Sequence, residues 1–109
     1  MSALLRGRFE ATTKARAVAD LQSAISELDQ LRSQLNGFIR REEKRTGVSD
    51  STRYTYSTVA VVARERVLKL NQSIAELTAR LDVALVERDQ AAAALAALET
   101  TAKLFRRKR

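Results

Sequence analysis

Few residues in this chain could do chemistry. Histidine and cysteine are absent from all 109 positions, which removes the usual general base, the thiolate nucleophile and the common zinc ligands. Glu42-Glu43 is the one adjacent carboxylate pair. Neighbours on a helix diverge by about 100°, so the two cannot converge on one reacting atom. The surrounding run Arg40-Arg41-Glu42-Glu43-Lys44-Arg45 is expected to be a solvated face. No glycine-rich phosphate loop is present either. The expectation is a protein that is not an enzyme and takes no cofactor and no metal. What remains is recognition by charge.

The charge is unevenly placed. The net value is +7, of which residues 1–19 carry +3 and residues 100–109 carry +5, while residues 20–99 sum to −1. Arg6 and Arg8 near the start, with Lys103, Arg106, Arg107 and Arg109 near the end, are the cations that a fold could gather into one basic pole.

Gathering them requires a reversal of the chain, and the chain has one clear place for it. Proline is absent throughout, and the only cluster of turn-forming residues is Gly47-Val48-Ser49-Asp50-Ser51-Thr52. On either side the apolar residues follow a heptad. In the second segment Ala60, Val67, Ile74, Leu81, Leu95 and Ala102 mark position a, interrupted by Arg88. Tyr56, Ala63, Leu70, Leu77, Ala84, Ala91, Leu98 and Phe105 mark d. The first segment keeps the period less strictly: Leu4, Ala11, Val18, Ile25, Arg32 and Ile39 at a, and Lys14, Leu21, Leu28 and Leu35 at d. A sustained a/d stripe predicts coiled-coil helices. The fold expected is all-α: one domain over 1–109, with a helix at about 3–46, a turn at 47–52 and a second helix at about 51–106, paired as an antiparallel coiled-coil hairpin.

Several local expectations follow. Gly47 suits the left-handed residue beyond a helix end, with Val48 packing back on the last turn. Asp50 or Ser51 would cap the second helix. Asn36-Gly37 offers a competing break, since glycine costs about 1 kcal/mol relative to alanine inside a helix. The β-branched and aromatic residues of 54–62 would suit a strand, but no partner strand is visible. A turn centred near Ser49 and Asp50 would set Leu21 level with Leu77 and Leu4 level with Leu95. Gly7 and Lys14 weaken the first seam near its start. Arg32 and Arg88, at a positions, either lay their stems over the seam, with the guanidinium near water or a neighbour such as Asp29 or Glu87, or they fix the register.

Off the seam, Tyr54, Val61 and Leu68 repeat every seven residues, Val62 widens the line, and Leu31 and Phe38 fall at a similar height on the first helix. Either the seam is broad enough to cover them, or Phe38, Tyr54, Val61, Val62 and Leu68 form a partner-binding apolar patch near the hairpin tip. The run Lys103-Leu104-Phe105-Arg106-Arg107-Lys108-Arg109 reads as a solubilising tail, as a dock for an acidic protein surface, or as a contact for anionic membrane or nucleic acid. Interleaved aromatics for base stacking are lacking, which argues against a dedicated nucleic-acid binder. The absence of cysteine, of a long apolar run and of a signal-like apolar core predicts a cytoplasmic protein.

These features resemble the FliJ family of flagellar type III export proteins and their injectisome relatives, over nearly the whole chain. The likeness is carried by Arg53-Tyr54-Thr55-Tyr56 after the turn, the long heptad run, and Ala97-Leu98-Glu99 leading through Lys103-Leu104 to Arg106-Arg107. It implies a cytoplasmic antiparallel coiled coil, peripheral at the inner membrane, that couples the export ATPase to the export gate and escorts export chaperones. The basic residues Arg6, Arg8, Lys103, Arg106, Arg107 and Arg109 would face the ATPase, and the patch of Phe38, Tyr54, Val61, Val62 and Leu68 would face the gate. The alternatives are a self-associating coiled-coil assembly protein and a peripheral binder of membrane or nucleic acid acting through its tail.

Overall fold

A computed structural model describes residues 2–107 of the chain. Two helices account for most of it: α1, Ala3–Thr46, and α2, Thr58–Arg107. They form the antiparallel helical hairpin that the heptads predict. Their contacts divide into two units. Unit 1 joins the residues up to Ser23 with those from Thr78 onward, and unit 2 is Ala24–Leu77.

Burial follows the heptads residue by residue. In unit 1 the less exposed positions of α1 are Leu4, Gly7, Ala11, Lys14, Val18 and Leu21, and those of α2 include Leu81, Ala84, Arg88, Ala91, Leu95 and Leu98. In unit 2 the same spacing runs through Ile25, Leu28, Arg32, Leu35 and Ile39, and through Ala60, Ala63, Val67, Leu70, Ile74 and Leu77. Few side chains are deeply buried: Val18 in unit 1, and Ile39, Tyr56, Ala60 and Ala63 in unit 2. Two helices can cover only one stripe of each other, so most seam residues stay half exposed.

The helix ends have identifiable causes. Ser2 caps α1, its Oγ accepting from the Leu5 amide at 3.1 Å. Gly37 does not break α1, which runs unbroken to Thr46. Gly47 then takes the left-handed conformation at φ 73°, and its amide donates to the Glu43 carbonyl at 2.9 Å. Val48 is half buried behind it.

The start of the second helix differs from the expected 51. Asp50 does not cap α2; its carboxylate accepts from the Thr52 amide at 3.0 Å and the Thr52 hydroxyl at 2.6 Å, closing a tight turn. Two further turns follow, with the Arg53 amide on the Asp50 carbonyl and the Tyr56 amide on the Arg53 carbonyl. Asp, Thr and Tyr are indifferent helix formers that favour such local alternatives. The cap is Ser57, whose Oγ accepts from the Ala60 amide at 3.2 Å. The connection is therefore longer than the expected turn, and the register shifts with it. Leu21 lies in a groove with Ala79, Arg80, Val83 and Ala84 instead of level with Leu77. A Cβ on Gly7 would stand 3.0 Å from Leu98 and 3.4 Å from Leu95, so this glycine lets the leucines pack against α1 where a side chain would crowd them.

Candidate interaction surfaces

Polar residues set inside the two seams are all engaged. In unit 1 the Lys14 ammonium donates to Glu87 Oε2 at 2.8 Å, and that hydrogen bond, with the charge of Glu87, holds the lysine above its usual pKa. Arg88 pairs with Asp89, its Nη2 3.1 Å from the carboxylate, while Glu87 pairs with Lys14. In unit 2 Arg32 pairs with Asp29 on its own helix and donates from Nη1 to Asn71 Oδ1 across the seam at 2.9 Å. These cross-helix contacts join particular residues, which is how a polar group in a seam selects one register.

In the run 40–45, Arg40, Arg41, Lys44 and Arg45 are exposed as the composition suggests, but Glu42 and Glu43 are not. Glu42 and Glu43 continue the seam beyond Ile39 and turn toward the connection. The Glu42 side chain is only 15% exposed. It accepts from Arg45 Nε and Nη2, each at 2.9 Å, and from Ser57 Oγ at 3.0 Å. Arg45, then Ser57, hold its carboxyl down to about 2, against the opposing effect of burial. Glu43 accepts from the Tyr56 hydroxyl at 3.1 Å, drawing Tyr56 into the d position although it precedes α2. The carboxylate pair thus fastens the connection to α1. Periodicity alone could have found this, since residue 42 falls at d; the charged composition concealed it.

Of the five residues proposed as one apolar patch, Val61, Val62 and Leu68 are exposed on α2, Phe38 is half buried on α1 and Tyr54 lies in the connection. Phe38 and Val62 line a groove with Leu35, Val59, Ala63 and Arg66. Leu68 lines another, with Asn36, Ile39, Arg40, Arg64 and Val67. Val61 is exposed and lines neither. Tyr54 is 99% exposed in the connection, and because α2 begins only at Thr58 the heptad cannot be extended back to it. At about 100° per residue, Val61 and Val62 necessarily leave α2 in different directions.

The basic residues fare differently. Arg6, Arg8, Lys103, Arg106 and Arg107 all belong to unit 1 and are all exposed. Arg109 lies outside the described residues. Arg8 Nε approaches Glu99 at 4.0 Å, and the other four have no carboxylate partner among the described residues. Large apolar side chains stand among them: Leu5 and Phe9 on α1, Leu104 and Phe105 on α2. Sequence reasoning passed over Leu5 and Phe9, whose signal is an i, i+4 pair placed off the heptad seam.

The fold and these surfaces define a two-helix antiparallel coiled coil with a hydrogen-bonded connection and a cationic, partly apolar surface. No group of histidine, cysteine, aspartate or glutamate that could hold a metal occurs among the described residues. No family model, curated protein or solved structure matches the chain.

Proposed function

We propose that this chain is a non-enzymatic coiled-coil adaptor of a bacterial flagellar or type III protein export apparatus, which couples the export ATPase to the export gate and escorts chaperones in the cytoplasm. One observation carries the reading: Arg6, Lys103, Arg106 and Arg107 are exposed in one unit without internal carboxylate partners. Unpaired cations on a rigid helical support suit docking on an acidic protein surface, where they set on-rate and specificity. The sequence likeness to the FliJ family supplies the export ATPase as the bearer of that surface. No ionic or hydrophobic feature of the chain asks for catalysis, and the ATPase would supply the hydrolysis.

The test is binding of the purified chain to the host's export ATPase across a salt titration. Affinity should fall as salt rises, and combined Arg6→Glu, Arg106→Glu and Arg107→Glu substitution should abolish binding. Binding that survives the charge reversal would remove the basic surface from the mechanism. A second reading, self-association, is favoured by the open groove of Leu35, Phe38, Val59 and Val62 in unit 2. Light scattering that finds a monomer at high concentration would dismiss it.

A further inference from the structure

Two grooves adjoin along one side of the seam of unit 2, sharing Leu35 and Arg66. Leu31, Leu35 and Phe38 line them from α1 at i, i+4 and i+7, and Val59, Val62, Arg66, Lys69 and Ser73 line them from α2 at helical spacing. Together they make one trough. Positions that flank a two-helix seam are ordinarily charged, but on this side they include Leu31, Phe38 and Val59. Leu31 is 44% exposed, Val59 56% and Val62 45%. The corresponding positions on the opposite side of the seam are Asp29, Asn36, Arg64 and Asn71. Arg66 and Lys69 stand in the wall of the trough, both exposed, and neither forms an ion pair among the described residues.

We propose that this trough of unit 2 takes an amphipathic helix of a partner protein, one that carries aspartate or glutamate beside its apolar face. From Val59 to Ser73 the trough runs about 21 Å, at about 1.5 Å per residue, which holds about four turns of helix. Apolar anchors of the partner at i, i+3 or i+4 and i+7 would cover Leu31, Phe38, Val59 and Val62, and its acids would meet Arg66 and Lys69. Two helices cover only one stripe of each other, and a third supplies the missing cover. The charge tells against a second copy of this chain as the occupant. Two copies joined through the same trough would each bring Arg66 and Lys69 to the interface, like charge against like. The cations assigned to the export ATPase belong to unit 1, so the inference stands independently of the export reading.

The probe is a displayed library of random peptides of about 16 residues, selected on the full chain. Enriched sequences should set apolar residues at i, i+3 or i+4 and i+7, with Asp or Glu beside them. A synthetic peptide of the leading sequence should bind about tenfold or more weakly to Arg66→Glu with Lys69→Glu, and likewise to Leu31→Ser with Val62→Ser. Both variants alter only exposed positions, and unchanged helical circular dichroism would verify their fold. Arg106→Glu with Arg107→Glu in unit 1 should bind the peptide as the wild type does. Enrichment without the acidic amphipathic pattern, affinity indifferent to the trough variants, or affinity lost in the unit 1 variant would each overturn the proposal. So would a dimer by light scattering that Leu31→Ser with Val62→Ser dissolves, since a second copy would then fill the trough.

Discussion

Residues 40–45 in unit 2 and 103–107 in unit 1 are both arginine-rich ends of helices, yet they behave differently. In the first, Glu42 and Glu43 interrupt the cations and fall where the seam meets the connection, so Arg45, Ser57 and Tyr56 all find a carboxylate. In the second, no acid intervenes between Lys103 and Arg107, and the nearest, Glu99, approaches Arg8 on the other helix. Composition alone does not separate a structural clasp from a binding surface. The separation comes from whether an acid at seam spacing can reach its neighbours: Glu42 and Glu43 do so in 40–45, and 103–107 holds no acid.

The contrast can be broken most severely at the clasp. Ala60 is fully buried beside Ser57. Ala60→Glu should destabilise the hairpin by about 3 kcal/mol or more, from overpacking and an unpaired buried charge, read by urea unfolding. Ser57→Ala, which removes the cap of α2 and a bond to Glu42, should cost about 1 to 2 kcal/mol in the same measurement. Gly47→Ala places a side chain at φ 73°, with an expected cost of about 1 kcal/mol.

Glu42 gives the comparison a pH signature. Its folded pKa, held to about 2, lies below the ordinary carboxylate value. Its contribution is therefore fully present above about pH 4.5 and is lost as pH falls from there toward 2. Thermal melts of Glu42→Gln should be lower than wild type at pH 7 and converge with it near pH 2. Equal melts at pH 7 would mean that the clasp does not stabilise the connection. At the other extreme, Arg106→Glu with Arg107→Glu in unit 1 should change stability by less than about 0.5 kcal/mol, as exposed substitutions do. A large loss there would show that those arginines serve the fold.

Much of the architecture was legible in the residues. The a and d positions named from spacing, Phe105 excepted, are the ones that the helices cover, even at Lys14, Arg32 and Arg88, because a heptad is a local consequence of helical geometry. Gly47 was legible for a similar reason: a left-handed residue strongly favours glycine. The placement of Tyr54 was not legible. Extending the heptad back to Tyr54 assumed helix where Asp50, Thr52 and Arg53 make turns, and one residue of spacing between Val61 and Val62 changes the side of α2 they occupy. The start of α2 was missed because Asp50 and Ser57 are both competent caps, and the choice between them depends on Glu42, fifteen residues before Ser57.

The sequence by itself determined two heptad helices, their antiparallel reversal at a glycine, and an excess of positive charge at both termini, since each depends on neighbours within a turn or two. Only the tertiary structure decided that Glu42 and Glu43 are a clasp, that the register runs several residues from the expected one, and that Phe105, at a d position, is exposed. Those outcomes depend on which side chains meet across the hairpin, and a connection lengthened by a few residues shifts each of those meetings along the helix.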